Sequence, residues 1–111
     1  MKLPNAAAAL IPPEKLQGYC LNPNHDRGKH KARLFAAILG LTADNADELQ
    51  EVVLQAIQDY DATIEQQDQY GTRYIVDFPL SRNGQTAIVR SVWIIRLDEL
   101  FPRLVSCYIL R

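Results

Sequence analysis

Apolar positions along the chain fall first at helical and then at strand spacing. Ala6 to Ile11 is a short apolar segment, either an edge strand or an extended lead-in, ended by Pro12-Pro13. Pro12-Pro13-Glu14-Lys15-Leu16 opens a helix, with proline tolerated in the first turn and Glu14 near the positive end of the dipole. Leu16, Tyr19 and Cys20 recur at i, i+3, i+4 before Pro23 stops the run. A second helix begins at Lys29, with Leu34, Phe35, Ile38 and Leu39 as its predicted buried stripe and Gly40 as its C-terminal cap. Lys31 lies one turn before Phe35, heads the same stripe, and aims its ammonium at the rim of the core. A third helix opens with Asn45 as N-cap and Glu48 three residues on, a variant capping box. Its Leu49, Val52, Val53, Ala56, Ile57 and Tyr60 form the clearest helical pattern in the chain.

After Asp61 the period changes to two. Thr63 to Gln67 reads as a modest strand, Tyr70 to Phe78 as a strong one, Thr86 to Arg96 as a second long strand and Arg103 to Leu110 as the last. Asn83-Gly84 is a hairpin signal; a two-residue turn there sets Asp77 opposite Arg90, Tyr74 opposite Trp93 and Val76 opposite Ser91. One face then carries Tyr74, Val76, Phe78, Val89 and Trp93, suited to packing under helices. The other carries Arg73, Asp77 and Arg90 among Ile75, Val92 and Ile94, and a one-residue slip would exchange the two faces. The expected fold class is α+β: two to three N-terminal helices, over about residues 12–60, packed on a roughly four-stranded antiparallel meander over about 62–110, in one domain spanning 1–111.

Composition is that of an ordinary globular protein, with 48% apolar and 23% charged residues. No apolar run approaches the ~20 residues that cross a bilayer, so no membrane partner is expected. The opening Met1-Lys2-Leu3-Pro4-Asn5 and its alanines make too short an apolar core for a signal peptide, so the segment reads as mature protein. Cys20 and Cys107 lie far apart without metal-ligand spacing and read as buried thiols of a cytoplasmic protein. A net charge of −1 gives no basic footprint overall. Its distribution says more: no Lys or Arg lies between Leu34 and Thr72, while Asp44, Asp47, Glu48, Glu51, Asp59, Asp61, Glu65 and Asp68 do. One anion-facing side and one acidic side would follow, unless the acids are only a solvated helix face.

The candidate chemistry gathers in Asn22-Pro23-Asn24-His25-Asp26-Arg27-Gly28-Lys29-His30-Lys31-Ala32-Arg33, which holds both histidines and four of the twelve Lys and Arg residues. Cations at a helix N-terminus oppose the macrodipole at about 0.3–1 kcal/mol each, so an anion there would relieve them. Gly28 would let a phosphate approach the backbone. RNA cleavage through the 2′-OH needs a base, an acid and cationic stabilisation, without an obligatory metal, and His25, His30 and Lys31 could supply them. The bland alternatives are a surface loop of solvated lysines with Asp26 as partial counter-charge, and an Asn22-Pro23-Asn24-His25 turn whose polar side chains only bond the backbone. Arg73 and Arg90 are the next candidates, since a guanidinium grips phosphate with two parallel hydrogen bonds, although Asp77 and Arg90 could simply be a cross-strand ion pair. Arg103 and Ser106 follow on the last strand. Tyr74 and Trp93 fit a core better than a base-stacking platform. A Gly-rich phosphate loop, a His-Glu-x-x-His pattern, a Cys-x-x-Cys pair and a Gly-x-Ser-x-Gly elbow are all missing, which argues against NTPases, metalloenzymes and hydrolases of those kinds.

Several blocks carry a resemblance. Leu3-Pro4-Asn5-Ala6, Ile11-Pro12-Pro13-Glu14-Lys15-Leu16, Leu21-Asn22-Pro23-Asn24-His25 and Gly28-Lys29-His30-Lys31-Ala32-Arg33-Leu34-Phe35 resemble a bacterial domain family of unknown function. So do Tyr70-Gly71-Thr72-Arg73-Tyr74, Val89-Arg90-Ser91-Val92-Trp93 and Pro102 to Tyr108. That family occurs alone or at the end of larger secreted proteins, and beside a small antitoxin-like protein. Its layout is similar to the barnase, EndoU, colicin and RelE-type nuclease superfamily, which implies metal-independent action on RNA from the open sheet face and a nearby helix end. By position the resemblance points to His25, His30, Lys31, Arg73, Arg90 and Ser106. Where the family's last block reads Leu-Val-Thr-x-Tyr-Pro, this chain has Leu104-Val105-Ser106-Cys107-Tyr108-Ile109, which keeps a hydroxyl and loses the proline.

The expected function is therefore a ribonuclease toxin acting on tRNA or mRNA, without cofactor or metal and with a small cognate antitoxin as partner. His25 and His30 would share acid/base work. Lys31 and Arg90 would stabilise the transition state, with Ser106 beside them. Arg27, Lys29, Arg33, Arg73 and Arg103 would hold RNA phosphates. A homodimer stays open. The rival expectation is a non-enzymatic interaction module, an antitoxin or immunity-type partner, using the acidic 44–68 surface with the histidines inert.

Overall fold

The computed structural model describes residues 1–111 as an α+β fold in which the helices precede a four-stranded antiparallel meander. Helix α1 (Pro13–Lys15) has Pro13 in its first turn and continues as one π-helical turn, Leu16–Cys20. Helix α2 spans Lys29–Leu39 and α3 spans Ala46–Asp59. The strands are β1 (Ala62–Asp68), β2 (Gly71–Arg82), β3 (Gln85–Arg96) and β4 (Arg103–Ile109), in the order β1-β2-β3-β4. The expectation for Ala6 to Ile11 is corrected in its first half, where Ala6–Ala8 is a short 3-10 helix; beyond it Leu10 forms a single parallel bridge with Arg103 at the outer edge of β4.

Local chemistry explains most boundaries. Gly40 adopts the left-handed conformation at φ 65° and returns its N–H to Ala36, ending α2. Asn83 and Gly84 both have positive φ, 54° and 75°, so the turn joining Arg82 to Gln85 is of type I′ and suits the twist of the hairpin. The register follows: Asp77 faces Arg90, Tyr74 faces Trp93 and Val76 faces Ser91. Tyr74, Val76, Phe78, Val89 and Trp93 are buried under the helices. Trp93 Nε1 donates to Ser91 Oγ at 2.9 Å and Ser91 Oγ donates to the Val76 carbonyl at 2.9 Å, which satisfies both polar groups inside the core.

Two local expectations are corrected. The stripe of α2 is Ala32, Phe35 and Leu39, and Leu34 and Ile38 flank it half-buried. At the start of α3, Asn45 bonds backwards: Thr42 N–H donates to Asn45 Oδ1 at 3.0 Å, capping the preceding 3-10 turn. Glu48 is drawn off by Arg82, accepting from its Nε at 2.6 Å and Nη2 at 3.1 Å, a charge-assisted pair stronger than a backbone cap. The same guanidinium donates to the Leu39 and Gly40 carbonyls, so one side chain ties the hairpin to the negative end of α2 and the start of α3.

The sheet departs from strict alternation at two bulges. One lies in β1 between Ile64 and Gln66, and the other sets Val105 as an extra residue opposite the Val92/Trp93 step. In a regular strand Arg103 and Ser106 would point to opposite faces. With Val105 inserted, Arg103 pairs Ile94, Ser106 pairs Val92 and Tyr108 pairs Arg90, and all three join the open face. The outer edge of β4 is closed by Leu10 and by the Cys20 thiol, which accepts the Cys107 N–H at 3.3 Å.

Candidate functional site

The π-helical turn and the start of α2 meet at the edge of β4, and a chain of side chains runs across that corner onto the open sheet face. His25 and Tyr19 pack edge to face with ring centroids 4.8 Å apart. Lys31 Nζ donates to Tyr19 Oη at 2.6 Å and lies 4.7 Å from the Tyr19 ring and 5.3 Å from that of Tyr108. Lys15 Nζ is 5.7 Å from the same Tyr19 ring. Tyr108 adjoins Arg90, whose Nε and Nη2 grip Asp77 at 2.9 Å each. This carboxylate holds the Arg90 guanidinium even more firmly protonated than usual and leaves Nη1 outside the bidentate pair.

Two hollows open along the corner. One of about 470 Å³ is lined by Tyr19, His25 and Arg27, and one of about 440 Å³ by Arg73, Arg96 and Arg103. Both are also lined by Glu14, Lys15 and Val105, which form the wall between them. Lys15, Arg27 and Arg73 have no ion-pair partner, while Arg103 donates to Glu99 at 2.8 and 2.6 Å and Arg96 lies 4.0 Å from the same carboxylate. The protonated form of Arg103 is further favoured by its hydrogen bonds to Glu99. Glu14 is the one acid lining the groove.

The expected residues thus divide. His25 and Arg27 line one hollow and Arg73 and Arg103 the other, while Lys31 reaches Tyr19 and Tyr108 and Arg90 lies beside Tyr108 on the adjoining sheet face. His30 is exposed on the solvent side of α2 and makes no side-chain hydrogen bond, and Lys29 beside it has no ion-pair partner. Arg33 borders a separate, mostly apolar hollow of about 240 Å³ with Ala36 and Leu41. Ser106 Oγ is buried beside the Cys20 thiol without a hydrogen-bond partner. Burial pushes both the Cys20 and Cys107 thiols up from their ordinary value.

The loop holds a correction. Gly28 is buried, and a Cβ there would stand 2.3 Å from the Tyr19 carbonyl oxygen, so the close approach it permits is by the π-helical turn and not by a phosphate. His25 Nδ1 accepts the N–H groups of Arg27 at 3.1 Å and Gly28 at 3.0 Å. Its proton therefore sits on Nε2, and the neutral ring is a donor there. Asn22 likewise accepts from Asn24 N–H and donates to the Gly18 carbonyl. Tyr19, Tyr108, Lys15 and Arg96 were not singled out by the sequence reading. The i, i+4 spacing of Lys15 and Tyr19 was visible, but the bulge that brings Tyr108 to Arg90 was not.

Fold and groove together define an α+β domain with a cation-lined cleft at one sheet edge and acidic side chains on its third helix. A family model described as a domain of unknown function, DUF6883, matches residues 2–111, and the chain belongs to that family. No curated protein and no solved structure matches it. No helix is long and apolar enough to cross a membrane.

Proposed function

We propose that this domain is a ribonuclease that holds RNA phosphates along the groove and cleaves beside Lys31, as the toxin half of a toxin–antitoxin pair acting on tRNA or mRNA. The observation that supports this is the pair of adjoining basic hollows, which hold unpaired Lys15, Arg27 and Arg73, with the Lys31–Tyr19 pair beside the first of them. Phosphate contacts of this kind position a nucleic acid irrespective of sequence. In the reaction the 2′-oxygen attacks the adjacent phosphorus and loses its proton, the 5′-oxygen leaves and gains one, and a cyclic phosphate remains. Lys31 and the Arg90 guanidinium would stabilise the charge on the phosphorane. Tyr19 and Tyr108 hydroxyls and His25 Nε2 would exchange protons and orient the phosphate, and Arg96 and Arg103 would steady the chain.

The test is cleavage of total RNA in EDTA by wild type, Lys31→Met, Tyr19→Phe and His30→Ala. Discrete cutting by wild type and His30→Ala, reduced at least about hundredfold in the other two, is the expected result for loss of an acid/base or charge-stabilising group. Loss in His30→Ala alone would move the chemistry to the solvent side of α2. No cutting, with healthy cells overproducing the chain, would overturn the proposal. The backbone bonds of Asn22 and His25 favour a second reading in that case: a binding module with a structural histidine.

A further inference from the structure

The two edges of the sheet are treated differently. The edge of β4 is closed by Leu10 and by Cys20, whereas β1 pairs only with β2. Residues 63–67 of β1 are exposed, and the helical layer does not reach them. The chain itself covers just the first rung. Ala62 N–H donates to the Met1 carbonyl, and the adjoining cations, Lys2 Nζ and the Met1 amine, lie 3.7 and 3.8 Å from Asp61. Outward-pointing backbone groups recur every second residue of a strand, so Ile64 presents the next open N–H and C=O, with its side chain half exposed at 51%. Glu65, at the bulge, continues the acidic flank without an ion-pair partner, whereas Asp68 accepts from Gln66 and from the Tyr70 N–H with Arg73 of β2 nearby.

We propose that the outer edge of β1 docks a short extended strand of a partner protein that alternates apolar and basic side chains. Met1 and Lys2 show the chemistry at the first open position: a backbone carbonyl accepting from Ala62 and positive charge against Asp61. Ile64 supplies the apolar contact, and Asp61 and Glu65 select the basic flank. Like charge disfavours a second copy, because self-pairing would bring Glu65 and Asp68 of two chains together. The bulge between Ile64 and Gln66 limits the added ladder to a few rungs. This surface lies outside the basic groove, so it stands or falls independently of RNA cleavage.

The test uses the 15N-labelled full chain and three synthetic eight-residue strands: alternating Val/Lys, alternating Val/Glu, and Val/Lys with every second amide N-methylated. The Val/Lys peptide shifts the amide signal of Ile64 most and those of its neighbours Thr63 and Glu65 less, N-methylation weakens it about tenfold by removing ladder hydrogen bonds, and Glu65→Lys weakens it while admitting Val/Glu. Equal shifts at these amides from Val/Lys and Val/Glu, or no shift from Val/Lys, would overturn the proposal. So would a concentration-dependent dimer that broadens the same signals without peptide.

Discussion

Gly28→Ala tests the link between local packing and the groove. Gly28 has φ −90°, which alanine adopts freely, so any cost is steric. The added Cβ would meet the Tyr19 carbonyl oxygen at 2.3 Å, the Tyr19 carbonyl carbon at 3.0 Å and Tyr19 Cδ1 at 2.9 Å, against the ~3.5–4.0 Å of an ordinary contact. Two of those atoms are backbone, so the π-helical turn must shift by about 1 Å. Overpacking of this kind costs about 1–3 kcal/mol, and loss of glycine's freedom in the unfolded chain offsets about 0.4–1 kcal/mol. The net is about 1–2 kcal/mol, which at ~2.1 cal/mol/K per residue over 111 residues lowers the melting temperature by about 4–9 °C. Gly18→Ala is the control: its Cβ would meet only Glu14 Cβ, at an ordinary 3.6 Å, so stability holds or rises slightly. Thermal unfolding followed by circular dichroism reads both variants, and NMR contacts between Lys31 and Tyr19 report whether the turn has moved. If Gly28→Ala melts within about 2 °C of wild type with the Lys31–Tyr19 contacts unchanged, the packing argument is wrong.

Three further outcomes follow. Ser91→Ala strands the buried Trp93 N–H and should lower stability by about 1–3 kcal/mol; an unchanged urea midpoint would refute the relay through Ser91 Oγ. Hydrogen bonds from Arg82 hold the Glu48 carboxyl below its ordinary value of 4.5, so that pair stabilises the fold above about pH 4.5 and its contribution fades as pH falls through the lowered value. Glu48→Gln should therefore melt below wild type at pH 7, with the gap narrowing as the pH falls below 4.5, and a gap that does not narrow in acid would show that the charge is not responsible. Burial of the Cys20 and Cys107 thiols predicts labelling by a thiol reagent that tracks global unfolding; rapid modification of the folded protein would contradict the closed β4 edge.

Much of this architecture was written in short-range pattern. Periods of 3.6 and 2 located the helices and strands, and Asn83-Gly84 set the hairpin register, because a two-residue type I′ turn leaves no freedom in the pairing. The buried face of β2 and β3 followed from that register, as did the Asp77–Arg90 pair. Lys31 at the head of the α2 stripe was readable from its place one turn before Phe35, and it stands at the rim of the core.

The rest depended on contacts between residues distant in the chain, which neither propensity nor period encodes. Val105 reads as one more residue of an alternating strand, yet as a bulge it turns Ser106 and Tyr108 to the face shared by Arg90 and Arg103. Gly28 looks like a glycine open to a phosphate until the Tyr19 carbonyl is brought against it. Glu48 looks like a helix cap until Arg82 arrives from a hairpin 34 residues away. Sequence alone determined the elements and the pairing of the central hairpin, since those rest on neighbours along the chain. Only the tertiary structure decided which cations share a groove and which histidine faces solvent, because those outcomes rest on how the helices and β4 pack across the sheet.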